Sequence, residues 1–230
     1  MKRRLVQTAF PVIVLFALCA LSSESLAGAS LAAPASAKPH IRASKSAVPA
    51  DSTGTSSSPA ERVPSPADVL GFKPGDDRKL AGWSQIVSYF KRLGSSSPRV
   101  SVQESGLTTE RRPFIYAVIS SEDNIRNLAA IREAQRKLAD PRLISSDEER
   151  DRLIRDTPAV VAITCSIHST EIGASQMSME LAYRLASDDS PRTRQILSNV
   201  VLLLVPSVNP DGIDIVTDWY RKTLNTKYEG

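Results

Sequence analysis

His168 and Glu171 are the residues whose types and spacing most directly allow chemistry. They lie in the segment CSIHSTEIGASQ, residues 165–176, and the chain's other histidine is His40 near the N-terminus. A three-residue spacing at the start of a helix can bring an imidazole nitrogen and a carboxylate to one point. Zinc in hydrolytic sites is commonly held by two histidines and a glutamate, with a fourth position left open. The spacing therefore fits half of a zinc site.

A structural role for the same tetrapeptide stays open. H-x-x-E arises often by composition, and Ser166, Ser169 or Thr170 could cap the following helix while Glu171 favours its positive end. The position of His168, just past an apolar strand, favours the metal, because ligands of open α/β sheets collect where strands end and helices begin.

Other reactive side chains are interpreted as structural. Cys165 lies inside an apolar run, where a small buried thiol is the usual case, and His168 is too close in sequence to act as its base. A serine or cysteine hydrolase is therefore disfavoured. Met177 and Met179 are expected to fill the core. Cys19 belongs to the N-terminal leader, so Cys165 has no intrachain partner for a disulfide.

Periodic apolar residues predict the elements that position these side chains. Helices are expected at 77–94, where Leu80, Trp83, Val87 and Phe90 share a face, at 120–140, at 147–155, and from about 171 to 187, where the buried face is Ala174, Met177, Leu181 and Leu185. A segment at 193–199 leads into the last strand. Strands are expected at 99–105, 112–120, 158–167 and 200–208, the last three buried on both faces. Strands that alternate with helices indicate an α/β/α sandwich around a mostly parallel or mixed sheet.

The first 65 residues have a different character. Residues 1–27 combine Lys2, Arg3 and Arg4 with an apolar stretch and a small-x-small site, which predicts a cleaved signal peptide and export to the periplasm or outside. A retained membrane anchor is the alternative, but the apolar run is short and contains Pro11. Residues 28–65 are Ala/Ser/Pro-rich and predict a disordered spacer that includes His40 as a solvated bystander.

The distribution of charge argues against a nucleic-acid partner. The whole chain carries +4, but residues 1–50 contain six basic side chains and one acid. The basic character therefore belongs to the leader and spacer, and the folded part, 66–230, is almost neutral.

Three stretches in order resemble the zinc carboxypeptidase family, the carboxypeptidase A/B-like metallopeptidases. They are ITCSIHSTEIGASQ, then VVLLLVPSVNPDGIDIV, then WYRKT, and the upstream ESGLTTERRPFIYAVIS also fits. The family has a strand, an H-x-x-E motif that opens a helix, another strand that ends in N-P-D-G, and an arginine shortly beyond. The resemblance covers about 66–230.

The resemblance implies roles for particular residues. His168 and Glu171 correspond to the first two ligands of Zn²⁺, and Arg221 corresponds to the arginine that stabilises the oxyanion when a C-terminal peptide bond is cleaved. The segment NPDG, 209–212, is expected to form a turn that Pro and Gly fix and in which Asn or Asp bonds nearby backbone. The implied substrate is a peptide or protein, and no stable membrane association is expected after signal cleavage.

The chain departs from the family by lacking later parts of the site. No histidine follows His168, and the general-base glutamate and the asparagine–arginine pair that grips the substrate carboxylate are also missing. We therefore expect the N-terminal part of a longer enzyme that binds zinc weakly and is inactive alone. Its sheet is expected to have an open edge and uncovered apolar strands, with poor solubility.

Two related functions remain possible on the sequence. A zinc-dependent deacylase of N-acyl amino acids would share the H-x-x-E arrangement, although N-P-D-G followed by WYRKT favours the peptidase. A non-catalytic exported binding domain derived from the peptidase fold would lack the later histidine and glutamate.

Overall fold

The structure, a computed structural model, describes residues 62–229. The predicted signal peptide and all but the last four residues of the predicted spacer lie outside the described residues. Of those four, Pro64 is buried, and the side chain of Ser65 caps the first helix. Within residues 62–229, no helix is both long and apolar enough to cross a bilayer.

Helices and strands alternate along most of the described chain. The helices are α1 (Pro66–Leu70), α2 (Trp83–Ser96), α3 (Glu122–Arg126), α4 (Leu128–Ala139), α5 (Asp147–Asp156), α6 (Ile172–Ser187), α7 (Pro191–Asn199) and α8 (Pro210–Thr223). The strands are β1 (Val100–Leu107), β2 (Pro113–Ile119), β3 (Ala159–Thr164) and β4 (Val200–Val205), and a short 3-10 turn spans Pro141–Leu143.

The four strands form one mixed sheet in the order β1-β2-β4-β3. β1 and β2 form an antiparallel hairpin, β2 is antiparallel to β4, and β3 is parallel to β4. The parallel pair requires a crossover, which α6 and α7 supply. The arrangement confirms the predicted mixed α/β sheet.

Helices cover both faces of the sheet at β2 and β4. Ile115, Ala117 and Ile119 of β2 and Leu202 and Leu204 of β4 face a large core shared with α2 and α6. The alternate residues face a smaller cluster around Ile131 of α4: Tyr116, Val118, Val201 and Leu203. Because side chains alternate along a strand, these two sets define the predicted α/β/α sandwich.

Helix α2 begins at Trp83 and not at residue 77 as predicted, so Leu80 precedes the helix instead of lying on its apolar face. Trp83, Val87 and Phe90 are buried as expected, whereas the helix passes through Gly94 and ends at Ser96. A Cβ atom on Gly94 would lie 3.0 Å from Cγ2 of Val102. The glycine therefore permits close packing of α2 on β1 and does not end the helix.

The helix predicted at 120–140 is two helices in the structure. α3 ends at Arg126 and α4 begins at Leu128, with Asn127 at a non-helical φ/ψ of −105°/18° between them. Asparagine is tolerated at such a break because its short polar side chain competes with helical hydrogen bonding.

Residues 158–167 were predicted to form a strand that is buried on both faces. The strand is present as β3, but the predicted burial is wrong. β3 lies at the edge of the sheet, and Val160 and Val161 are each 42 % exposed. An apolar run predicts a strand but not whether helices cover it. The described residues thus have the expected open edge with uncovered apolar side chains.

The buried face of α6 also differs from the prediction at one methionine. Met179 is fully buried, but Met177 is 47 % exposed, so only Met179 fills the core. Two serines, Ser175 and Ser178, lie on the buried face. The periodicity of the apolar residues alone does not indicate that such small polar side chains are buried.

Candidate metal site

His168 and Glu171 lie together on the loop that leads from β3 to α6. His168 Nδ1 is 3.0 Å from Glu171 Oε1, and the two side chains are 73 % and 55 % exposed. The backbone turns between them, since the N–H of Glu171 donates to the carbonyl of His168 at 3.1 Å. We refer to these two side chains as the His168–Glu171 pair.

The structure agrees with one part of the helix-capping alternative, because Glu171 lies at the positive end of α6, but it shows no serine or threonine cap. Glu171 is itself the N-cap residue of α6, one position before the first helical turn in which we expected it. This helix has no side-chain capping hydrogen bond, so neither the serines nor Thr170 performs that role. The Glu171 carboxylate is hydrogen-bonded to the His168 imidazole, so the two side chains face each other.

The donor atoms of the pair fit two positions on a zinc ion. Ligands at about 2.0–2.1 Å from tetrahedral zinc stand roughly 3.3 Å apart, close to the observed 3.0 Å. An imidazole nitrogen and a carboxylate oxygen are also donors that zinc accepts. Within residues 62–229, however, no three His, Cys, Asp or Glu side chains converge as a metal site would require.

The segment NPDG begins helix α8 and does not form the separate turn that we predicted. Pro210 occupies the first helical turn, and the Oδ1 atom of Asn209 accepts from the N–H of Gly212 at 3.1 Å. The predicted contact of Asn209 with nearby backbone is therefore present as an N-cap. Its Nδ2 also donates to the carbonyl of Ile167 at 3.4 Å, which links α8 to the loop that carries His168.

A half-buried carboxylate–guanidinium cluster fixes the start of α8 against the rest of the fold. Arg112, at the entry to β2, donates to Asp211 Oδ1 at 2.9 Å and to Asp214 Oδ2 at 2.6 Å. Asp211 also accepts from Thr108 Oγ1, and this hydrogen bond is the main reason that the pKa of Asp211 is lowered. The N–H of Trp83 donates to Asp214, which connects the same cluster to α2.

Arg221 lies in the last turn of α8, apart from the pair. Its guanidinium donates to the carbonyl of Leu80, to Gln85 and to Asp218. Along the helix axis, nine residues separate Arg221 from Gly212, a rise of about 13–14 Å. The structure thus brings His168 and Glu171 together and does not place Arg221 in contact with them.

Cys165 is buried and structural, which agrees with its interpretation from the sequence. Its N–H donates to Val205 and its carbonyl accepts from Val208, so it extends the pairing of β3 with β4. Burial raises the pKa of its thiol. A raised pKa opposes thiolate formation and therefore nucleophilic use.

Arg112 and two buried serines near the loop, Ser175 and Ser207, were not predicted from the sequence. Arg112 occurs in the run ERRP, which looks like an exposed turn. Its partners are about 100 residues away, and no local pattern predicts such a contact. The acids at positions 211 and 214, three residues apart on one helix, were the available signal.

The fold and the pair define a class: an α/β/α domain with an imidazole–carboxylate pair where a parallel strand passes into a helix. The sequence profile of the zinc carboxypeptidase family matches residues 86–229, well over half of the chain. The chain belongs to the zinc carboxypeptidase family. A comparison with curated proteins finds no significant match.

A comparison with solved structures finds matches that include the following two. Thrombin activatable fibrinolysis inhibitor shares 13 % identity at a TM-score of 0.45, and carboxypeptidase A from Helicoverpa armigera shares 17 % at 0.44. In each case 66 % of this chain aligns with 32 % of the other. The chain therefore spans about a third of the length of the structures it matches.

Proposed function

We propose that this chain is part of an exported, zinc-dependent carboxypeptidase that hydrolyses C-terminal peptide bonds of peptides or proteins. The observation that carries the proposal is the 3.0 Å approach of His168 Nδ1 to Glu171 Oε1 in a chain of the zinc carboxypeptidase family. Both side chains are more than half exposed, so a peptide end has access to them.

His168 and Glu171 would hold the metal from the rim of the sheet. When bound, zinc supplies a Lewis acid that polarises the scissile carbonyl and lowers the pKa of a water molecule. The loop between β3 and α6 holds the two donor atoms 3.0 Å apart. Zinc would take the place of the proton between Nδ1 and the carboxylate, so both groups would turn their lone pairs from each other toward the ion.

Arg221 is proposed as the group that stabilises the oxyanion, on the family resemblance of WYRKT. In that role its guanidinium must leave the carbonyl of Leu80 and the side chain of Gln85. In an active enzyme, Arg221→Ala is expected to lower kcat by about 100-fold or more with little change in KM. An equal loss of thermal stability and activity would instead assign Arg221 to the contact with α2.

Within residues 62–229, no third His, Cys, Asp or Glu side chain lies beside the pair to complete a ligand set. A third protein ligand and a general base must come from outside the described residues, and the only other histidine is His40. We therefore expect the 230-residue chain alone to bind zinc weakly and to release no C-terminal residues.

The direct experiment is to read the gene beyond the codon for Gly230 and to assay its full product. The proposal expects one further histidine and one glutamate at strand ends, and release of C-terminal amino acids that a chelator and His168→Ala both abolish. A downstream frame without those residues would contradict the proposal and favour a binding domain. Hydrolysis of N-acyl amino acids with no release from peptides would favour the deacylase.

The export part of the proposal is tested separately. Residues 1–27 fused to a reporter that is active only outside the cytoplasm should give activity and a cleaved product. A product that stays full length in the membrane fraction would identify an anchor instead of a signal peptide.

A further inference from the structure

Ser166 has an unusual backbone conformation two residues before His168. Its φ is +48°, in the left-handed region that non-glycine residues rarely adopt. Ser166 is also buried, with 3 % of its surface exposed. This conformation turns the chain out of β3 and toward the exposed His168. A side chain that holds such a conformation usually has contacts that fix it.

The hydroxyl of Ser166 connects both ends of the metal loop. Its Oγ donates to the carbonyl of Glu171 at 3.0 Å and lies 2.6 Å from Oγ of Ser175 on α6. Because the Ser166 hydrogen is used on Glu171, the Ser175 hydroxyl is the donor between the two oxygens. The backbone of Glu171 is thereby tied to the residue that starts the loop.

A second set of contacts fixes the backbone of Ser166 itself. Its carbonyl accepts from Oγ of Ser207, and Ser207 Oγ in turn accepts from the N–H of Asn209 at 3.0 Å. Ser166, Ser175 and Ser207 are all buried. Hydrogen bonds in such surroundings are well defined, since an unpaired hydroxyl there is costly.

From this network we infer that Ser166 is a positioning residue for the candidate zinc site. Its hydroxyl holds the Glu171 backbone so that the carboxylate stays 3.0 Å from His168 Nδ1. The inference rests on the proposed function, because it assumes that the His168–Glu171 pair binds zinc. Groups that orient metal ligands typically contribute about 10–100-fold to metal affinity.

The test is a calorimetric Zn²⁺ titration of the full chain and of each variant, with NMR at the imidazole of His168, assigned with His40→Ala, to locate the bound ion in the chains that keep this histidine. Ser166→Gly is the informative variant, because glycine accepts the positive φ while it removes the hydroxyl. We expect it to remain folded and to bind Zn²⁺ about tenfold more weakly. Ser166→Ala is expected to show the same loss.

Ser178→Ala is the matched control. Ser178 is a fully buried serine of α6, the helix that contains Ser175. Its hydroxyl donates to the Ser175 carbonyl at 2.6 Å, away from the loop. We expect its zinc affinity within about twofold of the unaltered chain even if its stability falls.

The outcomes separate the two proposals. If Ser166→Gly binds zinc like the unaltered chain while Glu171→Ala binds more weakly, the positioning role is wrong and the metal site stands. If neither Glu171→Ala nor His168→Ala weakens zinc binding, the metal site is wrong and the positioning role is wrong with it.

Discussion

Gly212, at the start of α8, and Ser169, between the two candidate ligands, are packed so closely that no side chain fits between them. A Cβ atom on Gly212 would lie 2.5 Å from Cβ of Ser169 and 2.7 Å from Nδ2 of Asn209. Separations below 3.0 Å are not found between real Cβ atoms and their neighbours. The glycine of NPDG is therefore required for its lack of a side chain, and it lets α8 support the loop of the metal pair.

Gly212→Ala should displace the loop or the start of α8. We expect a loss of about 1–3 kcal/mol in the free energy of unfolding, the usual cost of overpacking. Denaturant unfolding of the chain measures it.

Gly173→Ala provides the control for that substitution. Gly173 lies in the first turn of α6, and a Cβ there would meet nothing within 4 Å. Alanine should stabilise the chain by about 0.5–1 kcal/mol, because it restricts the unfolded backbone. Equal effects of the two substitutions would contradict the packing argument.

Asp211 makes stability depend on acid pH. The hydrogen bond from Thr108 and the nearby Arg112 hold the pKa of Asp211 below its ordinary value. Since the pKa is lower in the folded state, its contribution is present above about pH 4 and is lost as pH falls through the lowered pKa. Unfolding measured from about pH 6 to pH 2 should show this loss.

Asp211→Asn should reduce stability near neutrality and flatten the curve in the acid range, because the amide does not titrate. Asp218→Asn is the control on the same helix, since the Asp218 side chain is 63 % exposed. If Asp218→Asn flattened the acid limb as much as Asp211→Asn, the cluster around Arg112 would not be the cause.

The thiol of Cys165 should react slowly in the folded chain. Burial raises its pKa, so little thiolate forms at neutral pH. In a Cys19→Ser background, modification by a disulfide reagent should be at least about tenfold slower than in denaturant and should accelerate as pH rises. Rapid modification of the folded chain at pH 7 would reopen the cysteine hydrolase hypothesis.

The sequence predicted the parts of the fold whose signal is local. Buried strands such as β2 and β4 and the amphipathic face of α2 follow from periodic apolar residues that span several turns or alternations. The pairing of His168 with Glu171 was also predictable, because both residues lie within one loop whose ends are a strand and a helix.

The missed features depend on distant parts of the chain. The exposure of Val160 is set by which elements cover β3, and the helical start at Pro210 is stabilised by Asn209 together with Arg112. The positive φ of Ser166 depends on Ser175 and Ser207. These contacts cannot be predicted from the local sequence.

The open edge at β3 should make the chain self-associate. Among residues 62–229, β3 pairs only with β4, so exposed Val160 and Val161 lie on a free strand edge that can pair with another strand. Val161→Lys should lower the mass measured by sedimentation velocity at a given concentration. Ile196→Lys on α7, where the side chain has the same 42 % exposure, should not. A chain that stays monomeric at all concentrations would contradict this expectation.

Zinc K-edge X-ray absorption of the zinc-loaded chain tests whether His168 and Glu171 bind the metal. We expect one imidazole nitrogen and one carboxylate oxygen at about 2.0–2.2 Å from the zinc, with water at the remaining positions. The imidazole signal should persist in His40→Ala and vanish in His168→Ala. A spectrum that keeps its imidazole signal in His168→Ala, or that does not change in Glu171→Ala, would contradict a zinc site at this pair.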